Sequence, residues 1–429
     1  MGKEYALNPE QVTTLKERAL LWAAKFPISC FLDSNNYPEA RYDWLLGVGE
    51  HAALTAQTDG TAFDSLQNLA DQHTGQWLFG FLSYDLKNET EPGLRSENPN
   101  LPAFPAIHFF QPETVLICEN GTLRMESTSQ TPEQILAEIE ATQIIPPKQP
   151  DITPLQARIP RPDYLNIIEA IREHIAAGDL YEMNFCQEFY NPRAFIQPLS
   201  VFRLLNQRSP SPFAAFYRAD SKYLLCASPE RFLQKRGKVL RSQPIKGTIA
   251  RNPDAEIDHQ QREQLRSSIK DRAEHVMIVD LVRNDLARSC LPGTVQVEEL
   301  FGLHPFPQVW QMISTVRGEL RPEVHPIRAL ARAFPMGSMT GAPKRIAMEL
   351  IEHYEASTRG LYSGSVGYIN PEGDFDFNVV IRSLLYEASQ GYLSAQVGGA
   401  IVYDSDPEAE YEECLLKSSA IRAILEKSF

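Results

Sequence analysis

Residues 163–190 read DYLNIIEAIREHIAAGDLYEMNFCQEFY, and this stretch sets the expected fold. Its first half has helical spacing: Ile168, Ile171 and Ile175 share a stripe, Asp163 can cap it, and Gly178 ends it. Its second half switches to period two. Tyr181, Met183, Phe185 and Phe189 alternate with Glu182, Asn184, Cys186 and Glu188, which is the pattern of a strand. More strand-like runs follow (PFAAFY, KYLLCAS, RFLQK), then long helical stretches, then strands again near 364–369 and 379–385. A last helix is expected from Asp406–Pro407, with Tyr411, Cys414, Leu415, Ser418, Ile421 and Leu425 as its stripe. Hairpin strands mixed with helices predict an α/β sandwich on a largely antiparallel sheet. No G-x-G-x-x-G follows a strand, so a dinucleotide fold has no support.

Two proline clusters, at 91–105 and 145–160, break the chain. The second separates regions of different character. Residues 1–155 are therefore expected to form an N-terminal region, and 156–429 the catalytic region. The net charge of −14 argues against nucleic acid and against anionic membrane surfaces as partners. No run of about 18 apolar residues appears, and the start MGKEYALNPEQ lacks a leader's basic and apolar segments. The six cysteines are scattered, without a C-x-x-C pair, as expected of buried, reduced thiols in a cytoplasmic protein.

Three constellations carry candidate chemistry. Residues 235–251, KRGKVLRSQPIKGTIAR, hold six cations and no acid. Within them Lys246 lies between Pro244 and Gly247, where backbone can approach a ligand closely. Burial or neighbouring cations would lower its pKa and make it a nucleophile; solvated surface charge is the plain alternative. Asp271 and Glu274 share a helix face, and Glu410, Glu413 and Lys417 share another. Two such carboxylate sets suit Mg2+, a hard ion that keeps waters, or they are surface ion-pair faces. The third is GSMTGAPKRIAMELI (337–351), where Ser338, Thr340 and free N–H groups at a helix start can meet an anion. Pro343 is expected in the first helical turn. Gly398 and Gly399 in QVGGAIVYD either admit a ligand against a strand or mark a bulge. Nucleophile-elbow, P-loop and H-E-x-x-H templates are missing, as is a cysteine placed for glutamine hydrolysis.

These pieces, in their order, resemble the chorismate-utilising enzymes. The motifs are GDLYEMNFCQEF, SPERF, PIKGT, RAEHVMIVDLVRNDLAR, GSMTGAPK, RGLYSGSVGY, VVIRSLL and EAEYEECLLK, spread over about residues 160–425; FLDS (31–34) and WLFGFLSYD (77–85) add to them. The resemblance implies a layered sandwich of two largely antiparallel sheets flanked by helices. It implies Mg2+ at Glu274 and Glu413, and substrate contacts at Thr248, Ser338, Thr340, Tyr362, Arg382, Gly398, Gly399 and Lys417.

PIKGT resembles the aminodeoxychorismate-forming branch, which serves 4-aminobenzoate and folate synthesis; anthranilate-forming members usually have alanine where Lys246 stands. In that branch the lysine is thought to attack ring carbon 2 and expel the hydroxyl at carbon 4, with Glu230 as general acid/base. Two positions depart from the family's habits. Glu182 stands where water-using members carry lysine and amine-using ones usually glutamine. Gln311 stands where most carry a histidine linked to pyruvate release. The resemblance further implies ammonia from a glutamine amidotransferase partner. FLDS resembles the relatives' tryptophan-binding element, with Ser34 as its candidate contact. Anthranilate formation, or a non-catalytic regulatory subunit of the same fold, are the alternatives.

Overall fold

The computed structural model describes residues 4–306 and 308–426; Met1–Lys3 of the amino-terminal segment read above lie outside them. Two antiparallel sheets, of twelve and ten strands among the described residues, face each other across the main core. The hairpin of Phe213–Ala219 and Lys222–Ser228 shows why they stack. Leu224 and Cys226 point into the core between the sheets, whereas Leu225 and Ala227 point into a second core under the helices. A strand that is apolar on both faces needs a cover on both, here the other sheet and a helical layer. Helices Pro9–Ala23, Pro132–Ala141, Arg161–Ala177, Pro198–Arg208 and Pro407–Leu425 supply that layer.

Strand Glu182–Asn191 keeps the expected alternation, and both of its faces are interior. Met183, Phe185 and Phe189 enter the helix-side core, Cys186 enters the inter-sheet core, and Glu182 and Glu188 are each 1% exposed. Tyr181 falls before the strand and is 71% exposed. The polar residues of this strand are interior because both its faces are covered by cores; in the sheet it pairs with Tyr392–Ile401 along one edge and with the short strands Gly341–Ala342 and Gln156–Ala157 along the other.

Helix boundaries follow the sequence with two corrections. Helix Arg161–Ala177 starts ahead of Asp163, with Pro160 at the cap position, so Asp163 sits in the first turn, where its charge suits the helix dipole. Gly178, at φ 87°, ends it as expected. Pro343 caps helix Lys344–Tyr354 rather than entering its first turn. Asp406 does cap the last helix, accepting from the Ala409 N–H at 2.9 Å. Both sheets run through both regions of the chain: Ile28–Asp33 pairs with Phe213–Ala219, and Leu78–Leu82 with Ser365–Ile369.

One buried ion pair locks the loop around Ser338 and Thr340 onto the central strand. Arg359 is bidentate on Glu355, at 2.6 and 3.0 Å, and it donates to the carbonyls of Met339 (2.6 Å) and Asn184 (2.9 Å). Glu355 in turn accepts from the Cys186 N–H at 2.9 Å. The Tyr84 ring lies 4.6 Å under the guanidinium. Removing one member of such a pair leaves an uncompensated buried charge. Arg359→Leu should therefore lower unfolding stability by about 3–5 kcal/mol, read as a fall in the urea midpoint. Adding Glu355→Gln to it should restore part of the loss.

Candidate active site

Lys246 lies on strand Ile245–Ala250, and its ammonium sits 2.8 Å from Glu182 Oε1. Their side chains are 12% and 1% exposed. Gly247 follows at φ 83°, where an added Cβ would stand 3.0 Å from Leu265 Cδ1 and 3.3 Å from Asp271 Cβ. A glycine is needed there both for its backbone and for the close approach of helix Ile269–Ala287. Burial works against the charge on Lys246, but the carboxylates of Glu182, Glu274 and Glu230 outweigh it and hold the amine above its ordinary pKa.

This corrects the expectation that neighbouring cations would lower it. The other five cations of 235–251 are spent elsewhere. Lys235 pairs with Asp374, Lys238 with Glu319, Arg241 with Glu298 and Arg251 with Asp258, while Arg236 donates to the Glu39 carbonyl. The surface-charge reading holds for four of them; Lys235 is buried in its pair with Asp374.

Carboxylates ring the amine. Glu230, 5% exposed, has its pKa pushed up to about 7 by burial, against the opposing pull of a Ser338 hydrogen bond and the Lys246 charge. Glu274 is likewise pushed up to about 7 by burial, with Lys246 opposing and Glu182 adding to the rise. Its Oε1 is buried without a hydrogen-bond partner. Lys270, one turn earlier, lies 4.0 Å from both Glu274 and Glu410 and so bridges the two acidic helices. Burial would raise Glu413 as well, but Lys417, Lys270 and Lys246 hold it below the usual carboxylate range.

Lys417 ties the last helix to the glycine pair. It lies 2.7 Å from Glu413 and donates to the Gly398 carbonyl at 2.8 Å. A Cβ on Gly399 would lie 3.3 Å from Glu410 Oε2 and 3.7 Å from Glu413 Oε1. A Cβ on Gly398 would overlap Cys186 Sγ at 2.4 Å. The two glycines thus allow the acidic helix and the central strand to close on the pocket.

The remaining expected contacts are placed unevenly. Thr340 is fully buried, with its hydroxyl turned onto the Met336 and Gly337 carbonyls at 3.3 and 3.2 Å. Tyr362 is buried, with its hydroxyl 3.9 Å from Cys186 Sγ. Arg382 is held at φ 52°; burial lowers its pKa, and Tyr362 and Glu413 only partly offset this. An arriving carboxylate would relieve that cost. Thr248 is exposed, opposite buried Gln311 in the strand register. Ser34 belongs to a second pocket, lined among others by Tyr42, Trp44, Phe213, Arg231 and Tyr368; its hydroxyl donates to the Asp43 carbonyl at 2.9 Å.

Sequence reasoning missed the direct Glu182–Lys246 contact and the bridging Lys270. The place of Glu182 at the start of the alternating strand was the available signal. Among the described residues no three metal-type side chains converge on a point. A hard cation here would take Glu274 and Glu413 and fill its other positions with water and substrate oxygens. The unpartnered Glu274 oxygen fits that role.

A family model described as chorismate binding enzyme matches residues 28–423. Aminodeoxychorismate synthase component 1 of Klebsiella aerogenes is 42% identical over 274 residues, covering 63% of this chain and 59% of its own length. The chloroplastic aminodeoxychorismate synthase of Arabidopsis thaliana is 37% identical over 366 residues, covering 80% of this chain and 39% of its own. The chain thus spans between two fifths and three fifths of these relatives. The crystal structure of anthranilate synthase component I from Streptococcus pneumoniae TIGR4 superposes with a TM-score of 0.77 at 26% identity, over 90% of this chain and 93% of that one.

The raised pKa of Glu230 has a consequence for stability. A carboxyl whose folded pKa lies above its unfolded value favours folding while protonated, and that contribution is lost as pH rises through the folded value, here about 7. Glu230→Gln should therefore melt above the wild type at pH values well above 7 and close to it in mild acid, in paired thermal scans.

Proposed function

The chain belongs to the chorismate binding enzymes, and from that premise we propose that it aminates chorismate at ring carbon 4, giving 4-amino-4-deoxychorismate for 4-aminobenzoate synthesis. One observation carries the choice of reaction: a lysine amine at 246, nearly buried, inside a ring of carboxylates. A covalent route by such an amine splits one difficult displacement into two easier ones.

In the first step Lys246 gives up a proton to the carboxylate ring and its free amine attacks carbon 2. The new C–N bond moves both double bonds of the ring diene, C1=C2 to C1=C6 and C5=C6 to C4=C5, and the C4–O bond breaks; the second step reverses both shifts. Glu230 supplies the proton with which the hydroxyl leaves as water. The carboxylates end with the proton count they began with, one gained from Lys246 and one given to water. A Glu230 pKa of about 7 suits this donor role near neutrality. In the second step ammonia attacks carbon 4 and Lys246 leaves carbon 2 as an amine. The ring is never aromatised, so no pyruvate is released.

Glu274 and Glu413 are the residues that would hold Mg2+, which supplies positive charge against the substrate's ring carboxylate. Arg382 pairs with a second substrate carboxylate, and Ser338, Thr340, Tyr362 and the Gly398–Gly399 backbone shape the pocket around it. Lys417 fixes the glycine pair and Glu413 together. Thr248, on the exposed side of the lysine strand, meets substrate at the mouth.

Ammonia comes from a glutamine amidotransferase partner in this reading, which the component 1 name of the Klebsiella aerogenes relative supports. The pocket at Ser34 is assigned to tryptophan, because its aromatic wall and the Arg231–Asp376 pair (2.9 Å) offer an indole-sized apolar face beside charge. No helix among the described residues is long and apolar enough to cross a membrane, in keeping with the proposed cytoplasmic location. Anthranilate formation is the second reading, supported by the Streptococcus pneumoniae structure; Lys246 is what argues against it.

Chain incubated with chorismate, Mg2+ and ammonium, then with the lyase that makes 4-aminobenzoate, should yield 4-aminobenzoate and no anthranilate. Fluorescent anthranilate with released pyruvate would reverse the assignment. Lys246→Ala should lower the rate by on the order of a hundredfold or more with the melting temperature retained; an unchanged rate would remove the covalent role.

A further inference from the structure

Glu182 has one oxygen occupied and one free. Oε1 accepts from Lys246 at 2.8 Å, and Oε2 is buried with no hydrogen-bond partner. The side chain is 1% exposed, so bulk water does not serve the free oxygen. An unmatched buried carboxylate oxygen costs free energy until a donor reaches it. The surrounding charge is also unbalanced. Three carboxylates, Glu182, Glu230 and Glu274, act on Lys246, Lys270 pairs with Glu274 at 4.0 Å, and the His275 ring contributes only a nitrogen near the Lys246 carbonyl. The pocket has an opening for a second small cation, apart from the one assigned to Glu274 and Glu413.

We propose that Glu182 Oε2 is the binding site for the ammonium ion, so that one carboxylate holds both nitrogens of the reaction. This rests on the amination proposed above. A divalent ion is a poor occupant, because it would stand against the Lys246 ammonium across one carboxylate. A compact N–H donor matches the contact that Oε1 already makes. Strand pairing fixes the position: Glu182 lies opposite Ala342, at the edge of the loop that carries Ser338 and Thr340.

The site gives the second step a balanced proton path. With the ring proton resting on Glu230, ammonium passes one proton to Glu182 and becomes ammonia. Ammonia forms the C4–N bond as the C2–N bond to Lys246 breaks. Lys246 departs as a neutral amine and takes the proton from Glu182, which restores the resting ion pair. Nothing is oxidised or reduced, and each turn consumes one ammonium and releases one water.

The test compares wild type with Glu182→Gln, which keeps the shape and removes the charge. Melting temperatures are read in ammonium chloride and in sodium chloride at equal ionic strength. The wild type should melt higher in ammonium than in sodium, and the variant should melt alike in both; the sodium scans also report that the variant folds. In the chorismate assay the wild-type KM for total ammonium should stay nearly flat from about pH 7 to about pH 8.5, since the ion itself binds. In Glu182→Gln that KM should start higher and fall about tenfold per pH unit, as the free base does, with the chorismate KM little changed. No ammonium-specific rise in the wild type, or a variant that matches it in both measurements, would overturn the site. An ammonium-specific rise without any aminated product would keep the site and remove the proposed reaction; aminated product with no effect at Glu182 would do the reverse.

Discussion

A single amine surrounded by more negative charge than it can neutralise governs the site. Lys246 is nearly buried, and the penalty for burying its charge is outweighed by Glu182 in contact and by Glu230 and Glu274 nearby. The resting lysine is therefore an ammonium, stable and unreactive. In the proposed reaction, cationic ligands and a proton acceptor would convert it to a nucleophile. The carboxylates share the consequence: Glu230 and Glu274 are both poised near neutrality because burial opposes their ionisation more than the nearby lysines, Lys246 for both and Lys270 for Glu274, favour it. In the proposed reaction a divalent ion and a small N–H donor would meet that excess of negative charge, and the ion would in turn offset the substrate's carboxylate.

The fold's task is to hold these groups at fixed separations on rigid elements. Lys246 and Glu182 come from strands of different sheets, Glu274 and Glu413 from different helices. Only the stacking of the two sheets brings them together. Closely packed glycines accordingly occur where layers touch the site: Gly247 under helix Ile269–Ala287, Gly398 against Cys186, and Gly341, whose added Cβ would stand 2.2 Å from the Glu182 carbonyl. The Arg359–Glu355 pair is the corresponding polar lock, satisfying backbone carbonyls on the loop and the strand at once.

Much of this was legible in the sequence, for reasons that can be stated locally. Period-two alternation at 183–189 gave a strand, Gly178 gave a helix stop, and Asp406 with Pro407 gave a helix start. The identity of the residues around Lys246 pointed to amine chemistry. What was not legible depended on partners distant in the chain. A strand covered on both faces looks half-polar when its polar residues face a pocket, so the alternation did not show that Glu182 is buried against Lys246. The cations at 235–251 read as one patch, although the segment crosses three strands that turn Lys246 and Lys235 inward to different acids and leave the others at the surface. Lys270 became visible only when the last helix was seen beside helix Ile269–Ala287. Thr340 was expected to offer its hydroxyl to substrate, and the loop instead folds that hydroxyl onto its own carbonyls.

The most direct test of the account is mass spectrometry of the chain mixed with chorismate and Mg2+ in the absence of ammonia. The first step then has no second nitrogen to complete the exchange, and the peptide containing Lys246 should gain the mass of chorismate less one water. An unmodified Lys246 peptide in a preparation that forms aminated product once ammonia is added, or an adduct on another side chain, would contradict it.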